Sequence, residues 1–357
     1  VENILRFEKD FPGATIVRLE SNYRSTRPIL AAAAGLIAHN EGRLGKTLRA
    51  GRNDADGEKV RIAALWDSEE EARMVGEEIE QAQRQGFRLG EMALLVRAGF
   101  QTRSFEERLI VLGVPYRVVG GLRFYERQEV RDALAYMRLL HQPTDDLAFE
   151  RIANLPRRGL GDGGMQQIHV AAREAEPRIP LMIAAERLCE AGAFRPKPRA
   201  ALRELFEGFR RWREVMQRDG HVMAVSVMLD ESGYTEMWKQ DKSPDAPARL
   251  DNLKELVRSM EEFETLGGFL EHISLVMDRD TGDAEDAVSI MTLHSAKGLE
   301  YNTVFLPGWE DGTFPSQRSM DESGRAGLEE ERRLGYVGIT RGRKRVRISA
   351  AQNRRIH

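Results

Sequence analysis

The sequence VSIMTLHSAKGLEYNTVFL, residues 288–306, contains two apolar runs separated by a polar turn. Val288–Leu293 and Thr303–Leu306, rich in β-branched and other apolar residues, are predicted as strands. The residues from Thr292 to Lys297 are dense in hydroxyl, imidazole and ammonium groups, and such donors suit a phosphodiester backbone. The stretch therefore predicts an α/β sheet with polar, ligand-contacting side chains where one strand ends.

Strand and helix signals also alternate through the first hundred or so residues and again near the C-terminal end. Ser68 is predicted as a helix N-cap, with Glu71 completing a capping box three residues later. The predicted strands are Thr15–Leu19, Lys59–Leu65, Met92–Val96 and Val346–Ser349, and the predicted helices are Pro28–His39, Ser68–Gln85, Thr102–Leu112 and Leu328–Thr340. This alternation predicts a parallel sheet covered by helices.

The central part of the chain has helical patterns and no convincing strand pattern. Val130, Leu134 and Met137 share one helical face at spacings of four and three. Helices are predicted at Glu126–Leu140, Gly164–Ala175, Ala200–Gln217, His221–Ser232 and Arg249–Glu264. The simplest architecture is one α/β domain, residues 1–117 and 288–357, split by a mostly helical domain inserted at 118–287.

Composition limits the class of protein. The chain has 357 residues, of which 41% are hydrophobic and 31% charged, and its formal net charge is −3, which fits a globular protein. Its only cysteine, Cys189, permits neither an internal disulfide nor a cysteine-based zinc site. The longest nearly apolar run, Pro28–Ala38, is shorter than the roughly 20 residues that a membrane-spanning helix needs.

Two stretches resemble nucleotide-site motifs but lack their context. Gly45-Lys46-Thr47 has the end of a phosphate-binding P-loop, but the position of the loop's first glycine is Asn40 and a helix, not a strand, precedes it. Asp230-Glu231 follows an apolar run like a magnesium-holding acid pair, but it lies among predicted helices. The sequence therefore predicts no phosphate cradle and no metal ligands of its own.

Two further segments carry candidate site residues. Tyr23 and Arg24 lie directly after a predicted strand, where the ring suits base stacking and the guanidinium suits phosphate oxygens. Arg341 ends a helix whose face it shares with Leu334 and Val337, so that its side chain is predicted to project past the helix end. Taken singly, a solvated turn and an ordinary helix terminus are the alternatives.

Taken together and in this order, these segments resemble motifs IV, V and VI of the UvrD/PcrA/Rep-type superfamily 1A DNA helicases, in particular the UvrD type. The resemblance rests on LESNYRSTRPIL, VSIMTLHSAKGLEYNTVFLPGWEDGTFPSQRS and LEEERRLGYVGITR, and on further stretches at Tyr116–Leu140, Asn154–Asp162 and Ala248–Glu264. It implies a RecA-like domain 2A, related to P-loop NTPases but without its own P-loop, and an inserted domain 2B. Domains 1A and 1B would precede the chain, and a short extension would follow His357.

The resemblance also implies residue roles. Tyr23 should stack on adenine, Glu300 should bind the ribose, and Arg24 and Arg341 should contact the γ-phosphate, Arg341 as an arginine finger. Mg²⁺ would be held by residues outside this chain. Thr292 and His294 should contact single-stranded DNA.

Two more DNA-contacting stretches follow from the resemblance. The 97–103 segment, with Arg97, Phe100, Gln101 and Arg103, should contact single-stranded DNA. Gly99 and Phe100 depart from the Ser-Asn-Ala-Gln-Ser run that the family more often has there, and the Phe100 ring offers a face for base stacking. Gly159 and Gly161 should bring backbone amides close to duplex phosphates, with Arg157 and Arg158 adding charge. A plain glycine-rich helix connector is the alternative.

The whole protein is thus expected to be an ATP-dependent 3′–5′ helicase of DNA repair or replication. Its expected partners are single-stranded DNA, single-strand/duplex junctions and its own 1A and 1B domains, in a bacterial cytoplasm and without a membrane. The chain alone is expected not to hydrolyse ATP. Two alternatives stay open: a stand-alone DNA-binding module, and part of an AddA- or RecB-like recombination helicase–nuclease.

Overall fold

The structure, a computed structural model, describes residues 10–15, 17, 20–41, 49–51, 56–278 and 284–354. The chain divides into two compact units, residues 1–97 with 288–357, and residues 98–287. The predicted boundary at 287/288 coincides with a unit boundary, whereas the unit boundary at 97/98 precedes the predicted 117/118. The described strands are β1 Ser21–Asn22, β2 Arg49–Ala50, β3 Arg61–Leu65, β4 Met92–Val96, β5 Tyr116–Val118, β6 Val288–Thr292, β7 Tyr301–Leu306 and β8 Gly342–Ala351.

The first unit is built on a parallel sheet. Its strands β3, β8, β7, β4 and β6 are neighbours in that order, and every pairing among them is parallel. The small strands β1 and β2 form a separate parallel pair. The helices of this unit are Arg27–Ile37, Ser68–Arg84 and Gln317–Ile339. The predicted α/β class is therefore confirmed.

Burial explains why β4 lies inside the sheet. All five of its residues, Met92–Val96, are fully buried, as the continuous apolar run predicts for a strand covered on both faces. The Gln317–Ile339 helix begins well before the predicted Leu328, because two helical stretches meet at Gly324, whose φ of +51° only glycine adopts readily.

The cap of the Ser68–Arg84 helix differs from the prediction. Asp67, not Ser68, is the N-cap, and its carboxylate accepts a hydrogen bond from the Glu70 amide. Glu71 therefore plays no part in a capping box. Its carboxylate is fully buried and accepts hydrogen bonds from the Gly308 amide at 3.0 Å and the Ser349 hydroxyl at 2.7 Å.

A compact connection joins β6 to β7. Residues 293–298 form consecutive turns, with the Ala296 amide donating to the Thr292 carbonyl and the Leu299 amide donating to the Ala296 carbonyl. Leu293 and Ala296 are buried. Since β6 and β7 are parallel to β4, this short segment leads from the carboxyl edge of the sheet to its amino edge.

The second unit is helical around one apolar core. Its large buried rings include Tyr136, Phe149, Phe209 and Trp212. Its helices are Thr102–Leu112, Gln128–His141, Asp146–Ile152, Asp162–Glu174, Leu181–Glu190, Pro196–Asp219, His221–Glu231, Tyr234–Gln240, Ala246–Ser259 and Leu266–Asp278. All five helices predicted between 118 and 287 are present, and the described residues of this region contain four further α-helices that were not predicted.

Parts of two predictions lie outside the described residues. These are residues 16, 18 and 19 of the predicted strand Thr15–Leu19, and the Gly45-Lys46-Thr47 stretch. Over the described ranges, no helix combines the length and the apolar character that crossing a membrane requires.

Candidate functional site

The turn that carries Tyr23 and Arg24 is fixed by its own polar side chains. The Asn22 carboxamide oxygen accepts hydrogen bonds from the amides of Arg24 at 2.8 Å and Ser25 at 2.9 Å. The Ser25 hydroxyl, fully buried, donates to the Gly342 carbonyl at 2.7 Å. The turn is therefore anchored at the start of β8, and Asn22 and Ser25 serve a positioning role that the sequence pattern did not assign.

Tyr23 presents its ring to solvent and is 71% exposed. The ring lies against the backbone of Gly51, where a Cβ would come within 2.7 Å of the tyrosine Cε1. Gly51 is itself held by its amide, which donates to the Asn22 carbonyl at 2.8 Å. The ring thus has one face supported by the chain and an exposed surface available for stacking.

Arg24 and Glu300 form an ion pair. The Arg24 Nε donates to Glu300 Oε2 at 2.7 Å, and the Arg343 Nη1 donates to Glu300 Oε1 at 3.1 Å. The hydrogen bond from Arg24 holds the pKa of Glu300 below its ordinary value despite some burial, and the charge of Arg343 acts in the same direction. Glu300 is consequently ionised and orients two guanidinium groups, one of which, Arg343, was not predicted.

Arg341 belongs to the same cluster. Its Nε donates to the Val337 carbonyl at 3.0 Å and its Nη1 to the Leu299 carbonyl at 3.1 Å. The side chain therefore turns back over the end of its own helix, and the predicted projection past that end is wrong for this conformation. The final carbonyls of the helix are electron-rich acceptors, which explains the fold-back.

The electrostatics of this cluster favour an anion. Burial, followed by the charge of Arg24, lowers the pKa of Arg341 to about 10. Arg341 remains protonated at neutral pH, so two guanidinium groups close enough to repel one another are held in place. With Arg343, three cations surround the single carboxylate of Glu300. The residues therefore fit a polyphosphate, which would offset this excess of positive charge.

The cluster lies at the amino edge of the sheet. Tyr301 and Gly342 pair at the start of β7 and β8, and the Tyr301 amide donates to the Arg341 carbonyl at 3.0 Å. Tyr23 and Arg24 directly follow β1 and precede the Arg27–Ile37 helix, as the sequence predicts, but β1 belongs to the separate β1–β2 pair. The hydrogen bond from Ser25 to Gly342 brings their turn to the start of β8, and therefore to the amino edge of the main sheet rather than to its carboxyl edge.

A second group lies at the carboxyl edge, where β4 and β6 end side by side. The Leu293 amide donates to the Val96 carbonyl at 2.8 Å. Next to it, the hydroxyls of Thr292 and Ser295 are 3.0 Å apart, and the imidazole of His294 is exposed. Exposed hydroxyl and imidazole groups at this edge suit contacts with a nucleic-acid backbone.

Arg97, which follows β4, is not a free cation. Its Nη2 and Nε donate to the Glu331 carboxylate at 2.7 and 2.9 Å, and the Glu331 side chain is only 5% exposed. Burial and the charge of Arg97 lower the pKa of the nearby His294, although Glu331 and Glu330 oppose the shift. His294 is therefore neutral at pH 7, and a nearby phosphate would favour its protonation.

Two other polar side chains of the 97–103 segment, those of Gln101 and Arg103, are buried and hydrogen-bonded within the second unit. Gln101 is buried and its carboxamide oxygen accepts from the Ala98 amide at 2.8 Å. Arg103, with a side chain only 4% exposed, pairs with Glu255 at 2.7 Å, Glu107 at 3.0 Å and Glu262 at 3.4 Å. Phe100 is half-buried. In this conformation only Phe100 offers surface for the predicted contact.

The two neighbouring arginines of the glycine-rich loop at 157–161 lie in different environments. Arg157 is exposed, whereas Arg158 is buried and donates through Nη1 to the carbonyls of Ile152 at 2.8 Å and Leu155 at 2.9 Å. The Arg158 Nη2 also donates to the Tyr136 hydroxyl at 2.8 Å. Arg158 therefore supports the loop from beneath rather than offering charge to solvent.

The glycines of the same loop are exposed. Gly159 has a φ of +79°, and Gly161 is the N-cap of the Asp162–Glu174 helix. Asn154, which was not assigned a role, holds the loop by accepting hydrogen bonds from the amides of Arg158 at 2.9 Å and Leu160 at 3.2 Å.

Within the described ranges, no group of three or more His, Cys, Asp or Glu side chains is arranged to hold a metal ion.

Comparison with known proteins places this geometry in context. Residues 17–353 match the family model described as the UvrD-like helicase C-terminal domain. A probable DNA helicase II homolog of Rickettsia felis is 48% identical over 359 residues, covering 100% of this chain and 54% of the relative. DNA helicase II of Escherichia coli is 42% identical over 370 residues, covering 100% of this chain and 50% of the relative.

A third relative, ATP-dependent DNA helicase UvrD1 of Mycobacterium tuberculosis, is 39% identical over 375 residues, covering 98% of this chain and 48% of the relative. The chain therefore spans about half the length of the curated relatives it matches.

Proposed function

The chain belongs to the UvrD-like helicase C-terminal domain family, and on that premise we propose that it is the 2A and 2B portion of an ATP-dependent, 3′–5′ DNA helicase. The relatives named above are DNA helicases, and neither the stand-alone module nor the helicase–nuclease is favoured by them. The whole protein would act in the bacterial cytoplasm, associated with the nucleoid when bound to DNA, with the rest of the polypeptide supplying domains 1A and 1B.

The observation that carries the proposal is the cluster of Arg24, Glu300 and Arg341 at the amino edge of the sheet. Two guanidinium groups are held close together there, and their mutual repulsion contributes to the lowered pKa of Arg341. In the proposed complex Arg24 and Arg341 contact the terminal phosphate, where their charge stabilises the negative charge that grows during phosphoryl transfer.

The neighbouring residues would orient the nucleotide. Tyr23 stacks on the adenine through its exposed ring, while Gly51 supports the opposite side. Glu300 has two roles in this scheme: it accepts a hydrogen bond from the ribose and keeps Arg24 and Arg343 extended towards the site. Mg²⁺-ATP supplies the phosphoryl group that is transferred, and the ligands of the metal lie outside this chain.

The carboxyl edge of the sheet is the proposed grip on single-stranded DNA. Thr292 and His294 would donate to phosphate oxygens there. Phe100, which belongs to the second unit, would by itself offer a ring for stacking on a base. Arg97 would contact DNA beside Thr292 and His294 only if its ion pair with Glu331 broke. Gln101 and Arg103 would not contact DNA but would hold the 97–103 segment in its conformation. On the second unit, Arg157 and the amides of Gly159 and Gly161 would meet duplex phosphates.

The test is Arg341→Ala in the full-length protein. An arginine finger is worth ~10³–10⁵ in rate, so DNA-stimulated ATP hydrolysis should fall by that order while affinity for single-stranded DNA is retained. Arg84→Ala is the matched control, because it removes an exposed guanidinium at the end of the Ser68–Arg84 helix of the same unit, to which we assign no contact with the nucleotide. Loss of DNA affinity in step with hydrolysis would exclude the finger role.

The isolated chain provides a second test. We propose that it does not hydrolyse ATP, because the phosphate cradle and the Mg²⁺ ligands lie in the other part of the protein. A steady-state ATPase assay with single-stranded DNA and Mg²⁺ should give background rates. Robust turnover by the 357-residue chain would contradict this.

A further inference from the structure

An exposed positively charged surface borders the 157–161 loop. The chain as a whole carries a net charge of −3, yet between Arg187 and Arg203 there are five Lys or Arg residues and a single acid, Glu190. This stretch contains the start of the Pro196–Asp219 helix. Local charge of one sign on a weakly acidic protein indicates a surface that binds anions.

Packing places this stretch beside the loop. A Cβ on Gly159 would lie 3.9 Å from Cδ of Pro198, in ordinary contact. A Cβ on Gly164 would lie 2.6 Å from Leu160 and 3.8 Å from Phe194, so these two side chains share one small space. Leu160 and Phe194 are both buried, and they hold the loop and the helix start together from below.

The four cations from Arg195 to Arg203 divide into two groups. Arg203 donates to the Cys189 carbonyl, and Arg199 lies beside Gly192, so both face the end of the neighbouring helix. Arg195 and Lys197, in contrast, are exposed. Among the residues that the structure describes, no carboxylate forms an ion pair with either of them or with Arg157.

The side chains around the loop indicate the chemistry of the partner. The only aromatic residue in the adjoining segments 157–161 and 193–198 is Phe194, which is buried and offers no ring to an unpaired base. Asp162, beside Gly161, is exposed and is the acid nearest to the loop in sequence. Exposed cations and glycine amides without an aromatic platform suit the backbone of duplex DNA rather than a single strand.

We infer that Arg195 and Lys197 extend the duplex contact of the 157–161 loop along the DNA backbone. The inference rests on the proposed function, in which this loop meets duplex phosphates. Each side chain neutralises about one phosphate, and the contact carries no sequence preference because it does not reach base edges.

The experiment measures binding of the chain to a labelled duplex with a 3′ single-stranded tail by fluorescence anisotropy at 50–200 mM KCl. Each phosphate contact contributes about 0.9 to the slope of log affinity against log salt. The Arg195→Ala/Lys197→Ala protein should therefore have a slope smaller by about 2. Between 50 and 200 mM KCl, the affinity of the wild-type chain should fall roughly tenfold more than the affinity of this double variant. Affinity for a single-stranded oligonucleotide should be unchanged.

Two comparisons make the result decisive. Lys197→Ala is compared with Arg218→Ala, which removes one charge about 30 Å further along the same helix. If both variants lower the salt slope equally, the effect comes from the overall charge of the chain and the inference is overturned. Arg157→Ala tests the loop itself. If Arg157→Ala lowers the slope and the double variant does not, the inference fails while the proposed function stands; if neither does, the duplex contact of the loop fails as well.

Discussion

Replacing Arg103 with methionine should destabilise the helical unit far more than the loss of one DNA contact would suggest. The Arg103 side chain is 4% exposed and lies 2.7, 3.0 and 3.4 Å from three carboxylates, those of Glu255, Glu107 and Glu262. Removing one member of a buried ion cluster leaves the other charges uncompensated, at a cost of about 3–5 kcal/mol. Since domains are stable by only about 5–15 kcal/mol, this is a large part of the total.

The same cluster predicts a pH dependence. Without Arg103, the remaining carboxylates repel one another, and burial already raises the pKa of Glu262. A carboxyl group whose pKa is higher in the folded than in the unfolded state destabilises the fold above its unfolded pKa. As the pH falls towards 5, Glu262 takes up a proton, and the deficit of Arg103→Met should shrink.

The assay is urea unfolding of the 357-residue chain, followed by the fluorescence of the buried Trp212 and Trp238, at pH 7 and pH 5. Arg173→Met, an exposed arginine of the same unit, should change the free energy of unfolding by less than about 0.5 kcal/mol. Arg103→Met/Glu255→Met should recover part of the loss, because an apolar pair can replace a buried ion pair. A loss below about 1 kcal/mol at pH 7, together with weakened binding of single-stranded DNA, would refute the reasoning and support a direct contact.

Two further predictions separate positioning from contact. Gly51→Ala places a Cβ 2.7 Å from the Tyr23 ring and should displace it, raising the KM for ATP of the full-length protein with little change in DNA affinity; an unchanged KM would show that the ring is not needed where it lies. Arg158→Met removes hydrogen bonds to buried carbonyls and should cost about 2–4 kcal/mol of unfolding free energy, whereas Arg157→Ala should cost less than about 0.5 kcal/mol. Equal costs in thermal unfolding would contradict the assignment of Arg158 as the loop's support.

Local sequence patterns predicted the strands and helices whose formation depends on short segments of the chain. The strand Met92–Val96 and the helix Thr102–Leu112 are present with their predicted bounds, because a continuous apolar run and a helical period are properties of short segments. The cap at Asp67 was missed by one residue, since Asp and Ser are both good N-caps and only the backbone geometry decides between them.

Long-range contacts were beyond the sequence patterns. Nothing local distinguishes Arg157 from Arg158, yet one is exposed and the other lies beneath the loop with Tyr136. Likewise, the ion cluster of Arg103 depends on Glu255, 152 positions away. The resemblance to a helicase family predicted which residues gather at the amino edge, whereas the direction of the Arg341 side chain depends on free carbonyls at a helix end.

The compact connection between β6 and β7 has a mechanical consequence. It begins at Thr292 and His294 at one sheet edge and ends at Glu300, which orients two arginines at the other edge. These nine residues include the successive turns at 293–298. The connection is conformationally restrained, because Leu293 and Ala296 are buried and the amides of Leu293, Ala296, Lys297 and Leu299 donate hydrogen bonds to backbone carbonyls. A nucleic-acid strand that displaced Thr292 and His294 would therefore also displace Glu300. This would change the orientation of the guanidinium groups of Arg24 and Arg343.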